Sequence, residues 1–361
     1  MTLLSRLEAK RNERRKTVKT FSDYNDLDVE SDRKRMHQMV RQTSVLDSSG
    51  EYHIINFLIR SQSLGSRNHI RRDISLVSQS SVSQLYNLGL LSHRWHGLSS
   101  IAVFALSQDI PLAIETILLL RRCYPSIRQN TSFHLVYPLS VPKPAIGATT
   151  LSPRLSIDVI SEERNCDRIE SLLKTVQSNQ VNYGHSGVAY PNNLLRNVGR
   201  RNALTEYTFV VDVDLVPNDR LYEQFTEFAQ QNGLFSEQSK KDKVVYVVPA
   251  YEVNTVTNTD ESDLKLDTMN QMIPKDKKQL LQMIESTNAR PFYIDLCWKC
   301  QKYTDYENWQ KHSPSAKFGI LFEVLWRDPW EPFYISDNSV PFYDERFRQY
   351  GFNRISQVLS L

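Results

Sequence analysis

The chain has 361 residues, of which 40% are hydrophobic and 10% aromatic; this is enough apolar surface for a substantial core, in one large domain or two ordinary ones, and excludes global disorder. Lys and Arg number 44 against 41 Asp and Glu, and the net charge of +3 lacks the basic excess of an electrostatic nucleic-acid binder. Only 11 glycines, none in a G-x-G-x-x-G or Walker pattern, argue against a glycine-cradled dinucleotide or a P-loop, and four cysteines are too few for a disulfide scaffold.

Residues 1 to about 70 are rich in Arg, Ser, Gln and Asp, with apolar residues mostly single apart from 52–59, and predict a polar stem or mobile arm. Its basic run, Arg11 to Lys16, is followed by no apolar segment, so no signal peptide is visible; the apolar stretches at 101–106 and 110–120 are too short to span a membrane. From Ile74 the pattern alternates: extended over 74–77, helical over 82–95, extended over 101–106, helical over 111–123, extended over 133–137. Pro111 suits the first turn of the second helix, and Pro125 follows its end.

A second alternation follows, with helix over 193–204, strand over 207–213, helix over 220–230 and strand over 243–248. Continuous apolar strands of this kind imply a sheet covered on both faces. Beyond Tyr251 come polar segments, a Lys-rich helix over 274–285, and an aromatic tail with five prolines from Pro291 to Pro341 that reads as loops shaping a site.

The sharpest chemical signal is Val210-Val-Asp-Val-Asp-Leu-Val-Pro217, with two carboxylates two residues apart where an apolar strand runs out. Strand period two puts Asp212 and Asp214 on one side, where hard oxygen ligands can hold a divalent cation beside a diphosphate; the alternative is a pair that caps the following helix. Tyr190-Pro-Asn-Asn-Leu-Leu-Arg-Asn197 opens a helix with Asn192 or Asn193 as cap, and Asn193, Arg196, Asn197 and Arg200 share its polar face. Such a face can bind a diphosphate or a sugar carboxylate, or simply be a solvated charged surface. Aromatics crowd around Asp328 and Glu331, and 342–354 adds Asp344, Glu345, Arg346, Arg348, Asn353 and Arg354; carboxylates beside aromatics can be general bases, or ordinary surface ion pairs. Cys297-Trp-Lys-Cys300 is compatible with a redox pair, half a zinc site or a small local disulfide, the last fitting its loop-like setting best.

Six runs, Tyr190 to Asn197, Val211 to Pro217, Val247-Val-Pro-Ala250, Arg290-Pro-Phe-Tyr293, Asp328-Pro-Trp-Glu-Pro-Phe-Tyr334 and Phe342-Tyr-Asp-Glu-Arg-Phe-Arg-Gln-Tyr-Gly-Phe-Asn-Arg-Ile-Ser-Gln357, together resemble glycosyltransferase family 49, over about residues 72 to 357. The resemblance implies an α/β GT-A-type fold, a Rossmann-like mixed sheet with helices on both faces, as a catalytic domain over 71–361. It also implies a type II membrane enzyme of the Golgi lumen. Such an enzyme transfers glucuronic acid from UDP-glucuronate in β1,4 linkage to xylose on O-mannosyl glycans of alpha-dystroglycan, with Mn²⁺ and with a LARGE-type glycosyltransferase as possible partner.

By that resemblance Asp212 and Asp214 hold Mn²⁺, Ser75 to Ser78 lie beside the nucleotide, and Glu331, then Asp344, are candidates for the base of an inverting transfer. Where other inverting enzymes of this fold often carry an acidic pair after a Gly-aromatic motif, this sequence reads Asn353-Arg354. A preceding signal anchor and a following segment with a metal-ligating His are also expected of the family, and the sequence given shows neither. Competing readings keep the fold with UDP-N-acetylglucosamine or UDP-xylose as donor, or make the chain a truncated, non-catalytic binding protein. Arg196, Arg200 or Arg346 against the donor sugar would mark an acidic donor. A C-x-x-C oxidoreductase would need an exposed, acidic Cys297.

Overall fold

The computed structural model describes residues 24–65, 71–140, 154–163, 166–179, 183, 187–236, 244–254, 266–349, 351 and 353–358, so the basic run at 11–16 lies outside the described residues. Ten strands are described: β1 Val45–Leu46, β2 Tyr52–Ile59, β3 Ile74–Ser81, β4 Leu98–Phe104, β5 Thr131–Pro138, β6 Tyr207–Val210, β7 Tyr246–Val247, β8 Tyr251–Val253, β9 Ala289–Pro291 and β10 Tyr334–Asp337. Eight form one sheet in the order β1-β2-β5-β4-β3-β6-β10-β7, and β8 pairs with β9. The four central strands β5, β4, β3 and β6 are parallel, flanked by antiparallel β2 and β10. This is the Rossmann-like mixed sheet of a GT-A-type α/β fold.

The period-two alternation of β4 shows why both faces are covered. Ile101 and Val103 pack with Ile114, Ile117 and Leu118 of the Ile110–Cys123 helix. Ala102 and Phe104 point the other way, onto Leu194, Leu195 and Val198 of the Asn192–Asn202 helix. β4 therefore buries both of its faces, which is why it reads as a continuous apolar run. The approach of the second helix is close: a Cβ at Gly199 would stand 2.6 Å from Val77 Cγ1, and the Gly199 carbonyl accepts a 2.7 Å hydrogen bond from Ser100 Oγ.

Several expectations need correction. The polar arm to residue 70 does not hold over the described part: β2 pairs along β5 and seals that edge of the parallel sheet. The Asp26–Gln42 helix buries Val29 and Met36, seven residues apart on one stripe, and its Arg33 grips buried Glu115 at 2.7 and 2.9 Å. The strand expected over 207–213 ends at Val210, and Asp212 to Leu215 form a turn closed by the Leu215 N–H on the Asp212 carbonyl at 3.0 Å. The aromatic tail is more than loops: it holds helices Ile294–Gln301 and Tyr306–Lys311, and β10 inserts between β6 and β7. A four-residue strand with one aliphatic side chain has no periodicity to announce it.

All four cysteines are paired, Cys123 with Cys166 as well as Cys297 with Cys300. The first bridge spans 43 residues, and in the chain-entropy account it stabilises by about 4 kcal/mol. Among the described residues no helix is long and apolar enough to cross a membrane.

Gly199→Ala is expected to lower stability by roughly 1–3 kcal/mol, because the added methyl must displace Val77 or lift the helix from β3. Urea unfolding with an unchanged slope and a lower midpoint checks this.

Candidate active site

The site forms where β3 and β6 run side by side, at the carboxyl ends of parallel strands whose chain connections diverge, the usual ligand crevice of an open α/β sheet. Their register pairs Val77 with Val210, so two residues further on Gln79 meets Asp212: Gln79 Nε2 donates to Asp212 Oδ1 at 3.2 Å. Val211 and Val213 turn into the core, and Asp212 and Asp214 turn away from it. The alternation thus survives past the strand's last ladder bond.

Asp212 is the charge centre of the site. Arg196 Nη2 donates to Oδ1 at 3.1 Å and Arg354 Nη2 to Oδ2 at 2.7 Å, with both guanidiniums nearly enclosed. Burial alone would raise the Asp212 pKa, but the two guanidiniums outweigh it and hold the carboxyl well below the usual range. Asp214, on the same turn, reaches solvent, and partial desolvation followed by the charge of Asp212 moves its pKa upward.

Above this centre lies a cavity of about 410 Å³, walled by Tyr190, Arg196, Asp212, Gln301, Glu331 and Arg354, with Phe292, Tyr293 and Phe333 as aromatic surface. Its size suits one sugar unit with part of its linkage. Glu331 is half-buried, and its carboxylate has no hydrogen-bond or ion-pair partner among the described residues. Burial raises its pKa more than Arg354 and Arg196 lower it, and Asp212 adds to the rise. Its backbone is fixed on both sides: the Glu331 N–H donates to the Cys300 carbonyl at 2.8 Å, and buried Gln301 donates through Nε2 to the Glu331 carbonyl at 2.9 Å. The Cys297–Cys300 disulfide closes the helix that supplies both partners.

The polar face of the Asn192–Asn202 helix does something other than bind an anion at its N-terminus. Neither Asn192 nor Asn193 is its cap; that position is Pro191, without a side-chain cap bond. Asn193 Nδ2 donates to the carbonyls of Asp344 and Asn353, both at 2.8 Å. Asn197 donates to the Tyr343 carbonyl and to Glu345 Oε1 at 2.8 Å and accepts from the Tyr343 N–H at 2.9 Å. Arg200 ends on the carbonyls of Val340 and Pro341 at 2.8 Å and Asn338 at 3.1 Å, well inside the protein. The face is a rail that holds the C-terminal loops, and only Arg196 of the expected four lines the cavity.

Ser75 and Ser78 are also enclosed. Ser75 lies at the start of β3 and Ser78 inside it, because that strand runs on to Ser81, four residues beyond its expected end; Ser75 Oγ accepts from Thr205 Oγ1 at 2.8 Å. Asp344 stays outside the cavity in a two-point pair with Arg346 at 2.9 and 2.6 Å, which lowers its pKa and so opposes a role as base. Arg346 is thereby turned away from any donor sugar as well. Gln79 and Gln301 were not singled out from the sequence, and Arg354 was named only among the polar residues of 342–354, without a role. Arg354 had one signal, its place where an acidic pair is common, but its partner lies 142 residues away in the chain.

Comparison with known proteins adds a second line. The family described as a glycosyl-transferase for dystroglycan matches residues 73–361. The chain is 32% identical over 341 residues to beta-1,4-glucuronyltransferase 1 of Danio rerio, covering 91% of this chain and 72% of that protein. It is 34% identical over 324 residues to the Bos taurus protein of the same name, covering 88% and 69%. A more distant relative, the xylosyl- and glucuronyltransferase LARGE2s of Gallus gallus, is 25% identical over 292 residues, or 80% of this chain and 29% of that protein.

Asn197→Ala strands the buried N–H of Tyr343 and two acceptors, so stability is expected to fall by roughly 1–3 kcal/mol. Limited proteolysis should then cut first within 338–348, where native protein resists.

Proposed function

The chain belongs to glycosyltransferase family 49, a family of UDP-sugar-dependent enzymes, and on that premise we propose that it transfers glucuronic acid from UDP-glucuronate in β1,4 linkage to xylose on O-mannosyl glycans of alpha-dystroglycan. The observation that carries the proposal is the unpartnered, half-buried Glu331 carboxylate in the same cavity as Asp212. A general base needs an accessible lone pair and a pKa raised toward the working pH, and Glu331 has both. Asp344, tied to Arg346 outside the cavity, has a lowered pKa instead.

In the proposed reaction the acceptor hydroxyl oxygen attacks the anomeric carbon of the donor from the Glu331 side. The new C–O bond forms as the bond from the anomeric carbon to the β-phosphate oxygen breaks; the electron pair leaves with UDP, and the hydroxyl proton passes to the Glu331 carboxylate. A single in-line displacement converts an α-linked donor into a β-linked product. The Cys300 carbonyl and Gln301 side chain hold the Glu331 backbone still, which keeps the proton acceptor in position before the reactants meet.

Asp214, a hard carboxylate open to solvent, would hold a divalent cation such as Mn²⁺ together with Asp212, whose two oxygens already accept from Gln79, Arg196 and Arg354. Among the described residues no three His, Cys, Asp or Glu side chains gather into an all-protein cage. When bound, such an ion supplies neutralising charge for the departing diphosphate. Two disulfides and no free cysteine support an oxidising compartment such as the Golgi lumen.

Calorimetric titration of UDP should show Mn²⁺-dependent binding that Asp214→Asn abolishes; equal affinity with and without metal in the native chain would overturn the cation role. Glu331→Gln should keep UDP affinity and lose about 10²–10⁴-fold in kcat. As the active form is the ionised carboxylate and its pKa is raised, kcat/KM should climb with pH along a limb above that of an ordinary glutamate, flattened in the variant.

A further inference from the structure

Arg354 is 8% exposed, yet it spends one N–H on Asp212 Oδ2, and its remaining donors have no protein acceptor among the described residues. Its guanidinium lies 4.3 Å above the Phe333 ring and on the wall of the cavity. Arg196 places its two Nη atoms on Asn193, Asn353 and Asp212, and its buried Nε has no partner among the described residues. The Asp212 carboxylate is thus shared by two enclosed guanidiniums, with Glu331 on the same cavity wall and Asp214 on the same turn as the further carboxylates of the site. The remaining N–H groups of Arg354 open onto the cavity, where a ligand can complete them.

Resting on the donor reading above, we propose that Arg354 is the specificity residue that reads the C6 carboxylate of the donor hexuronate. In such a sugar only the ring oxygen and C5 stand between the carboxylate carbon and the reacting carbon. A group that reads it must therefore share the small cavity with the base, as Arg354 does with Glu331. The planar fork of a guanidinium can meet a carboxylate with two parallel N–H bonds while another N–H stays on Asp212, and Phe333 fixes its plane. The other anion in the donor is the diphosphate, and the two sources separate by comparing nucleotides that differ only at C6.

The test measures dissociation constants of UDP, UDP-glucuronate, UDP-glucose and UDP-xylose, with Mn²⁺, for the native chain, Arg354→Met and Arg354→Lys. The native chain is expected to prefer UDP-glucuronate over UDP-glucose, which has a neutral C6, and over UDP-xylose, which has none. In Arg354→Met that preference should fall about ten- to a hundredfold, a loss for UDP-glucuronate larger than any accompanying loss for UDP. Arg354→Lys keeps the charge beside Asp212 but loses the fork, so it should retain the fold and part of the preference; it decides the matter if the Met variant does not fold. An undiminished preference in the variants overturns the assignment. An equal loss for UDP and UDP-glucuronate also overturns it and gives Arg354 to the diphosphate or to holding Asp212. If the native chain binds UDP without preferring the glucuronate, the donor reading itself fails, and this inference with it.

Discussion

One carboxylate between two enclosed guanidiniums organises the whole cavity. Asp212 comes from the turn after β6, Arg196 from the helix that covers the sheet and Arg354 from the last described part of the chain. Burying two guanidiniums around one carboxylate in low-dielectric surroundings is favourable only if their geometry is held. Much of the surrounding polar structure does that holding. Asn193 ties the helix to the 353 carbonyl, Asn353 Oδ1 accepts from Arg196, and Gln79 occupies the second lone-pair direction of Asp212 Oδ1. The Tyr190 hydroxyl in turn donates to Gln79.

That geometry depends on how near the Asn192–Asn202 helix lies to β3. Gly199 permits the approach, the apolar side of the helix fills the space over β4, and the polar side becomes the rail for 338–354. The same four polar residues that look like an anion site in isolation are mostly consumed by backbone carbonyls. The charge that does face the cavity arrives from two different segments, and the proton acceptor from a third. Glu331 stands apart in having its backbone tied down and its carboxylate left free of partners among the described residues.

The parallel core was legible because its central strands are buried on both faces and the helix between β4 and β5 is bounded by Pro111 and Pro125. That Asp212 and Asp214 share a side away from the core was legible from strand period two, which the chain keeps past Val210. Family membership came from six motifs in order, which no single motif could have supplied. What could not be read was any contact set by tertiary register. Gln79 meets Asp212 only because β3 and β6 are parallel with Val77 opposite Val210, and Ser75 and Ser78 were misjudged because the length of β3 is fixed by its neighbours. Asp344 and Glu331 are both acids near aromatics; burial separates them, and burial is not a property of spacing.

The Asp212 to Arg354 pair joins residues 142 apart in sequence. Contacts of such separation carry the largest loop-closure penalty and tend to form after local helices and neighbouring strands are in place. On a ribosome that synthesises from the amino terminus, the sheet from β3 to β6 can assemble while the cavity still lacks one wall. Chain emerging before residue 354 therefore presents Asp212 with a single arginine and an incomplete pocket. Any ligand that needs both arginines must therefore wait until residue 354 has joined the folded sheet.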